Sequence, residues 1–157
     1  PILRGEFVKN VILASRDYEN LLKLQPAEGG NAENNLTREN IERAVLGLLI
    51  EKKLIREELR RDLGADMGPL VARKLEKFAG DAELASAAET LYGLSLADFR
   101  EEVLLPQAER DVLAGRLFLK GETFDGWLAS VKQSGRITIF SSRFYWDGGE
   151  VKLANGK

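Results

Sequence analysis

The feature that most constrains the fold is a long amphipathic pattern between Thr37 and Gly64. Apolar side chains recur at helical spacing while Glu, Lys and Arg fill the opposite face, so the pattern predicts one helix over residues 38–63. Thr37 suits the N-cap, and Gly64 suits the position after the last turn. The apolar stripe is too wide for a helix packed on one side only, which makes this helix the expected centre of the fold. Its members are Ile41, Val45, Leu48, Leu49, Ile55, Leu59 and Leu63, widened by Leu46, Ile50 and Leu54.

Shorter apolar stripes, bounded by capping residues and glycines, divide the rest of the chain into further helices. Pro106 is expected to kink or break the longest of them near Leu105, because proline removes a backbone donor and clashes with the preceding turn. Four aromatic residues lie on these stripes and are expected in the core: Phe78, Tyr92, Phe99 and Phe118. The predicted helices cover about 15–24, 69–79, 81–91, 96–119 and 123–134, and 25–36 is predicted to be a loop.

Both ends of the chain favour strands. Phe7–Leu13 and Arg136–Phe140 are short and rich in β-branched side chains. Phe144–Trp146 and Glu150–Leu153 flank an Asp-Gly-Gly turn, which is a hairpin signal. The sequence therefore predicts a mainly α fold, with about six helices around one long central helix and a small antiparallel β element from the N- and C-terminal segments.

Composition argues against several kinds of chemistry. The 157 residues include no Cys and no His, so a thiolate nucleophile, a Cys-ligated metal and the commonest general base are all missing. The net charge of −2 gives no electrostatic reason to expect nucleic acid. No apolar stretch reaches the roughly 18 residues of a membrane span. We assign no catalytic residue, no metal ligand and no cofactor, and we expect no membrane insertion within this chain.

Paired carboxylates and serines do not change that assignment. Glu57-Glu58 and Glu101-Glu102 lie among Lys and Arg on predicted helix faces, where solvated i, i+4 pairs are the ordinary reading. Ser141-Ser142 has no nearby base, and a conventional catalytic triad needs His.

Aromatic residues near the C-terminus leave two interpretations open. In a strand, Phe144 and Trp146 share one face and Tyr145 lies on the other. One interpretation packs these rings against the helices as part of the core. The other makes Phe144, Tyr145 and Trp146 an exposed apolar patch for a partner.

Three segments carry a resemblance to a known family. They are Leu49–Ile55 in the long helix, Tyr92–Ser95 followed by Asp98-Phe99, and Trp127 ahead of Arg136–Ile139. Together they resemble the N-terminal chaperone lobe of the SurA-type family of extracytoplasmic chaperones and peptidyl-prolyl isomerases. The resemblance covers roughly residues 6–140. It implies a single SurA N-like helical domain over residues 1–157 with a hairpin extension at about 136–153, and pairing of the strands Phe7–Leu13 and Arg136–Phe140.

The same resemblance implies a chaperone-like domain that holds extended or partly folded polypeptides in an apolar groove. The groove is expected between the long helix and the helix bent at Pro106, because a bent helix cannot pack flush along a straight one. The expected peptide-binding residues are Leu104, Leu105 and Val112 as its lining, with Tyr92 and Phe99 at its rim. The alternative is a dedicated interaction or scaffold module with one fixed protein partner.

Family members usually carry a parvulin isomerase domain of roughly 100 residues. This chain has no room for one and no His for its site, so isomerase activity is not expected. The implied location is extracytoplasmic, either periplasmic or at the cell surface. The chain starts at Pro1, and a signal peptide or a membrane anchor upstream of it would fit that location.

Overall fold

In a computed structural model, the described part of the chain comprises residue 2 and residues 4–24, 37–79 and 83–154. The backbone alone is described for 17–24 and 78–79, so the predicted burial of Phe78 lies outside the described side chains. The predicted loop at 25–36 lies outside the described residues. Seven α-helical segments and two strands occur in this part: α1 Arg4–Leu24, α2 Arg38–Leu63, α3 Met67–Ala79, α4 Leu84–Ala87, α5 Leu96–Phe99, α6 Leu105–Leu119, α7 Phe124–Ser134, β1 Phe144–Trp146 and β2 Val151–Leu153.

Short turns of other helical types join several of these segments. A 3-10 turn at Gly64–Asp66 connects α2 to α3, and π-helical turns at Ala88–Tyr92 and Arg100–Leu104 continue α4 and α5. The described chain therefore contains five continuous helical runs and one small antiparallel sheet. This confirms the mainly α class.

The long helix predicted from residue 38 to residue 63 is confirmed in full as α2. The Asn40 N–H donates to Thr37 Oγ1 over 3.2 Å, which satisfies one of the donors left free in the first turn. The chain leaves the helix at Gly64, whose φ of 53° lies in the left-handed region that favours glycine. Leu49 and Leu59 are buried as expected, whereas Leu48 is exposed.

The predicted strand Phe7–Leu13 is wrong, because these residues belong to α1. The side chains of Asn10 and Ser15 each donate to the backbone carbonyl four residues earlier, over 2.9 and 2.8 Å. Ser15 is therefore inside the helix and does not cap it. A short apolar run is compatible with the alternating pattern of a strand and with the spacing of a helix. Val8 and Ile12 are four residues apart, which places them on the same face of a helix.

At the position where a kink or break is predicted, near Leu105, the structure has a change of hydrogen-bond pattern within a continuous helical run. The Leu105 N–H donates to the Arg100 carbonyl, five residues back, which closes the π-helical turn. Pro106 follows directly and has no N–H of its own. A wider turn at this point is the usual adjustment of a helix to a position that cannot continue the regular pattern.

The predicted C-terminal hairpin is confirmed, and the structure pairs Phe144 with Leu153 and Trp146 with Val151. The predicted strand Arg136–Phe140 is wrong, because this segment forms no strand. Its predicted pairing with Phe7–Leu13 is wrong as well. The first segment satisfies its backbone within α1, so it offers no edge to pair with, and the β element comes from the C-terminal hairpin alone.

The chain divides into two compact units. Unit 1 comprises Pro1–Glu51 and Ala129–Lys157, and unit 2 comprises Lys52–Leu128. Both boundaries fall within helices, one in α2 and one in α7, and the single domain over residues 1–157 stays a prediction. Unit 2 has a core cluster of Ile55, Leu59, Leu113 and Leu117, against which Leu63, Met67, Val112, Phe124 and Trp127 pack. Buried apolar residues of unit 1 are Val45, Leu49, Ile50, Phe144 and Val151.

Ion pairs accompany this packing within unit 2. Arg56 donates to Glu109 through Nε and Nη2, over 2.8 and 3.1 Å. Further along the same two helices, Asp62 accepts hydrogen bonds from Arg116 and, over 2.9 Å, from Lys120. These contacts join α2 to α6 on either side of the core cluster.

The carboxyl group of Asp62 gives the fold a specific response to acid. Hydrogen bonds from Arg116, and then from Lys120, hold the pKa of Asp62 below its ordinary value of 3.8. The stabilisation they provide is complete above that ordinary value and is lost as the pH falls through the lower pKa of the folded state. We expect Asp62→Asn to flatten the dependence of the urea midpoint on pH in this acid range. A mutant midpoint that falls as steeply as the wild-type midpoint would contradict the assignment.

Candidate polypeptide-binding surface

The five residues predicted to line a groove occupy different depths in the structure. Phe99 and Leu104 are only 6% and 9% exposed, so they belong to the interior. Tyr92 is half-buried, and its ring lies 5.0 Å from the ring of Phe99 at an angle of 48°. Leu105 and Val112 are also half-buried, and Val112 packs against the core cluster.

The space between the second half of α2 and α6 is occupied by side chains of the chain itself. Leu113 and Leu117 meet Ile55 and Leu59 there. The Arg56–Glu109 pair lies along the same helices. The structure therefore does not place the five residues around an open groove between these helices, and their part in peptide binding stays a prediction.

Two large apolar side chains instead remain exposed at the end of α6. Phe118 is 79% exposed and Leu119 is 83% exposed. We call these two residues the α6-end patch. The prediction that Phe118 belongs to the core is wrong. Leu117 takes the core position, and each following residue turns about 100° around a helix, which carries Phe118 and Leu119 away from the core.

Hydrogen bonds fix the backbone that follows the last turn of α6, next to the α6-end patch. The N–H groups of Lys120 and Glu122 both donate to the Leu117 carbonyl, each over 2.9 Å, and Gly121 takes a φ of 79°. At Gly115, one turn before the patch, a Cβ would meet no atom within 4 Å apart from its chain neighbours and the backbone of its own helix. The patch is therefore set on a well-formed helix end, with open space beside it.

Charged residues flank the patch along the chain. Arg116 precedes it and Lys120 follows it, and both are held by Asp62. An apolar centre with a polar margin is the arrangement found in protein-binding surfaces. The sequence contained a signal for this site: Leu117, Phe118 and Leu119 are consecutive, and three consecutive apolar residues in a helix cannot all face one core.

The C-terminal aromatic residues follow the predicted alternation. Phe144 is buried, Trp146 is half-buried and Tyr145 is exposed. The indole N–H of Trp146 is buried and finds no acceptor among the described residues. Phe144 thus fits the core interpretation, and only Tyr145 is open enough for the partner patch that was the alternative.

The described part of the chain offers neither a metal site nor a membrane-spanning helix. Residues 4–24, 37–79 and 83–154 contain no group of three or more acidic, His or Cys side chains able to hold a metal ion. In these ranges no helix combines the length and the apolar character that crossing a membrane requires. Comparison of the chain with protein-family models, with curated proteins and with solved structures found no match.

Proposed function

We propose that this chain is a chaperone-like domain that binds extended or partly folded polypeptides. The observation that carries the proposal is the α6-end patch, where Phe118 and Leu119 stay exposed on a helix whose other side is packed. Clustered exposed apolar side chains with a polar margin are a common mark of protein-binding surfaces. Unfolded clients offer apolar side chains of their own, and contact with the patch removes both from water.

The second candidate is a dedicated interaction module with one protein partner. The hydrogen bonds that fix the backbone at the end of α6 favour this candidate. A patch on a fixed backbone can match one complementary partner surface, whereas binding many different partners usually needs a flexible surface. Both functions need neither a cofactor nor a catalytic group. They differ in the number of unrelated polypeptides that the patch accepts.

The SurA-type resemblance supports the chaperone proposal through its helical segments. The strand pairing that it implied does not occur in this fold. An extracytoplasmic location, periplasmic or at the cell surface, rests on the resemblance alone and is proposed on that ground.

The test compares the full chain with the double variant Phe118→Ser/Leu119→Ser in suppressing the aggregation of several unrelated unfolded proteins. We expect a roughly 30-fold weaker effect, because the variant removes two exposed anchors that each contribute on the order of 1 kcal/mol to binding. Its thermal stability should change little, as exposed substitutions usually do. Leu48→Ser is the matched control. Leu48 is an exposed leucine as Leu119 is, but it lies in unit 1, whereas the patch lies in unit 2.

The outcomes separate the two candidate functions. Weaker suppression for every client supports the chaperone function. No suppression of any client by the wild-type chain, together with capture of one specific protein through the patch, favours the dedicated module. Full activity of the double variant would show that the patch is not the binding site.

A further inference from the structure

We propose that Arg136–Phe140 is an open β-edge, to which an extended polypeptide adds as a neighbouring strand. The Ile137 N–H closes a three-residue turn on the Gly135 carbonyl, and residues 137–140 then contain no turn or bend. Residues 136–140 alternate between exposed and half-buried, which is the side-chain pattern of an extended chain. Arg136, Thr138 and Phe140 lie on the exposed side, and Ile137 and Ile139 on the other.

The backbone of this segment forms no strand pairing with any residue that the structure describes, although its sequence favours one. The Ile137 N–H donates to the nearby Gly135 carbonyl over 3.1 Å. The main-chain groups of 138–140 have no backbone partner in the described part of the chain. Two isoleucines and a threonine make the segment a strong strand former. A segment that favours a strand by its sequence, but forms none within the fold, is typical of a functional position.

The exposure of the Phe140 side chain is a second reason to expect a partner on this segment. Phe140 is 98% exposed, the highest value among the large apolar side chains of the described residues. A β-prone segment with free backbone groups pairs readily with other chains, and natural proteins usually protect such edges. An occupant that supplies backbone donors and acceptors and an apolar side chain would satisfy both needs. Strand addition is an established mode of peptide recognition.

Charge specifies the occupant further. The stretch from Ser134 to Trp146 contains Arg136 and Arg143 and no acidic residue. Arg143 is held by Glu42, whereas Arg136 has no ion pair with any described residue. Residues 136 and 140 share a face, four positions apart. The preferred occupant is therefore an extended segment with a carboxylate opposite Arg136 and, four residues away on the same face, an apolar side chain opposite Phe140.

This β-edge is separate from the α6-end patch, in other residues and in the other unit. The proposal therefore does not depend on the patch. It adds backbone pairing, a second kind of polypeptide contact, to the proposed function.

The test measures binding of a fluorescein-labelled peptide of alternating threonine and valine, with glutamate and phenylalanine four residues apart, to the full chain. Two further peptides are N-methylated on one or the other alternating set of residues. In a paired strand only one set points its N–H groups at the neighbour. We expect one N-methylated peptide to bind about tenfold more weakly and the other to bind like the parent.

A side-chain control follows from the charge argument. Replacing the peptide's glutamate by glutamine should weaken binding to the wild-type chain and have no effect on binding to Arg136→Gln. Equal binding of the parent and both N-methylated peptides would overturn the β-edge, as would absence of binding by the parent peptide. Loss of peptide binding in Phe118→Ser/Leu119→Ser would place the peptide on the α6-end patch and also overturn the β-edge, while the proposed function would stand.

Discussion

Leu59→Ala is expected to lower the free energy of unfolding by about 2–5 kcal/mol. Leu59 is 0% exposed and belongs to the core cluster of unit 2, with Ile55, Leu113 and Leu117. Truncation removes buried methyl groups and leaves a cavity that the surrounding helices can close only in part. Urea denaturation of the full chain, followed by far-ultraviolet circular dichroism, measures the change.

Leu48→Ala is the matched control, because it makes the same chemical change in the same helix at an exposed position. It removes little buried surface, so the expected effect is within about 0.5 kcal/mol. Similar losses for both variants would mean that α2 is rotated relative to the described structure. The pair therefore tests which side of the helix faces the core, independently of helix propensity.

The sequence was most informative where a long periodic pattern coincided with capping residues. Both ends of α2 were predicted because Thr37 and Gly64 each have a physical role at a helix end. Ser95 and Thr123 work in the same way, and each accepts a hydrogen bond from the backbone N–H three residues later. The hairpin was predicted because its turn residues allow a reversal that few other sequences favour.

Prediction was wrong where the pattern was short. The seven residues Phe7–Leu13 fit a strand as well as a helix, and the helical hydrogen bonds of α1 distinguish the two. Arg136–Phe140 has strong strand propensity, but a strand forms only when a partner supplies the other half of its hydrogen bonds. The exposure of the α6-end patch was not predicted, because the helical apolar stripe placed Phe118 in the core although three consecutive apolar residues cannot all face one side of a helix.

The ion pairs between α2 and α6 were also beyond the sequence, since Arg56 and Glu109 are 53 positions apart. Charged residues on a helix are usually solvated, and only the packed structure reveals which ones are buried. Glu109 is 2% exposed and accepts two hydrogen bonds from Arg56. This burial makes the pair far more sensitive to mutation than the surface pairs of the same helix.

Arg56→Met is expected to lower the free energy of unfolding by about 3–5 kcal/mol at neutral pH, because it leaves the Glu109 carboxylate buried without its cation. Arg61→Met is the matched control: Arg61 also lies in α2 and pairs with Glu58 over 2.5 Å, but its side chain is 77% exposed. Such a pair contributes at most about 1 kcal/mol. Equal effects of the two substitutions would contradict the burial of Glu109.

The double variant Arg56→Met/Glu109→Leu separates the loss of an attraction from the exposure of an unpaired charge. Because the second substitution removes the buried carboxylate, the double variant should recover most of the stability lost in Arg56→Met. A double variant as unstable as the sum of the two single variants would mean that packing by the Arg56 side chain, and not the charge of Glu109, holds α2 and α6 together at this point. Recovery of stability in the double variant would show that the unpaired, buried carboxylate of Glu109 causes most of the destabilisation in Arg56→Met.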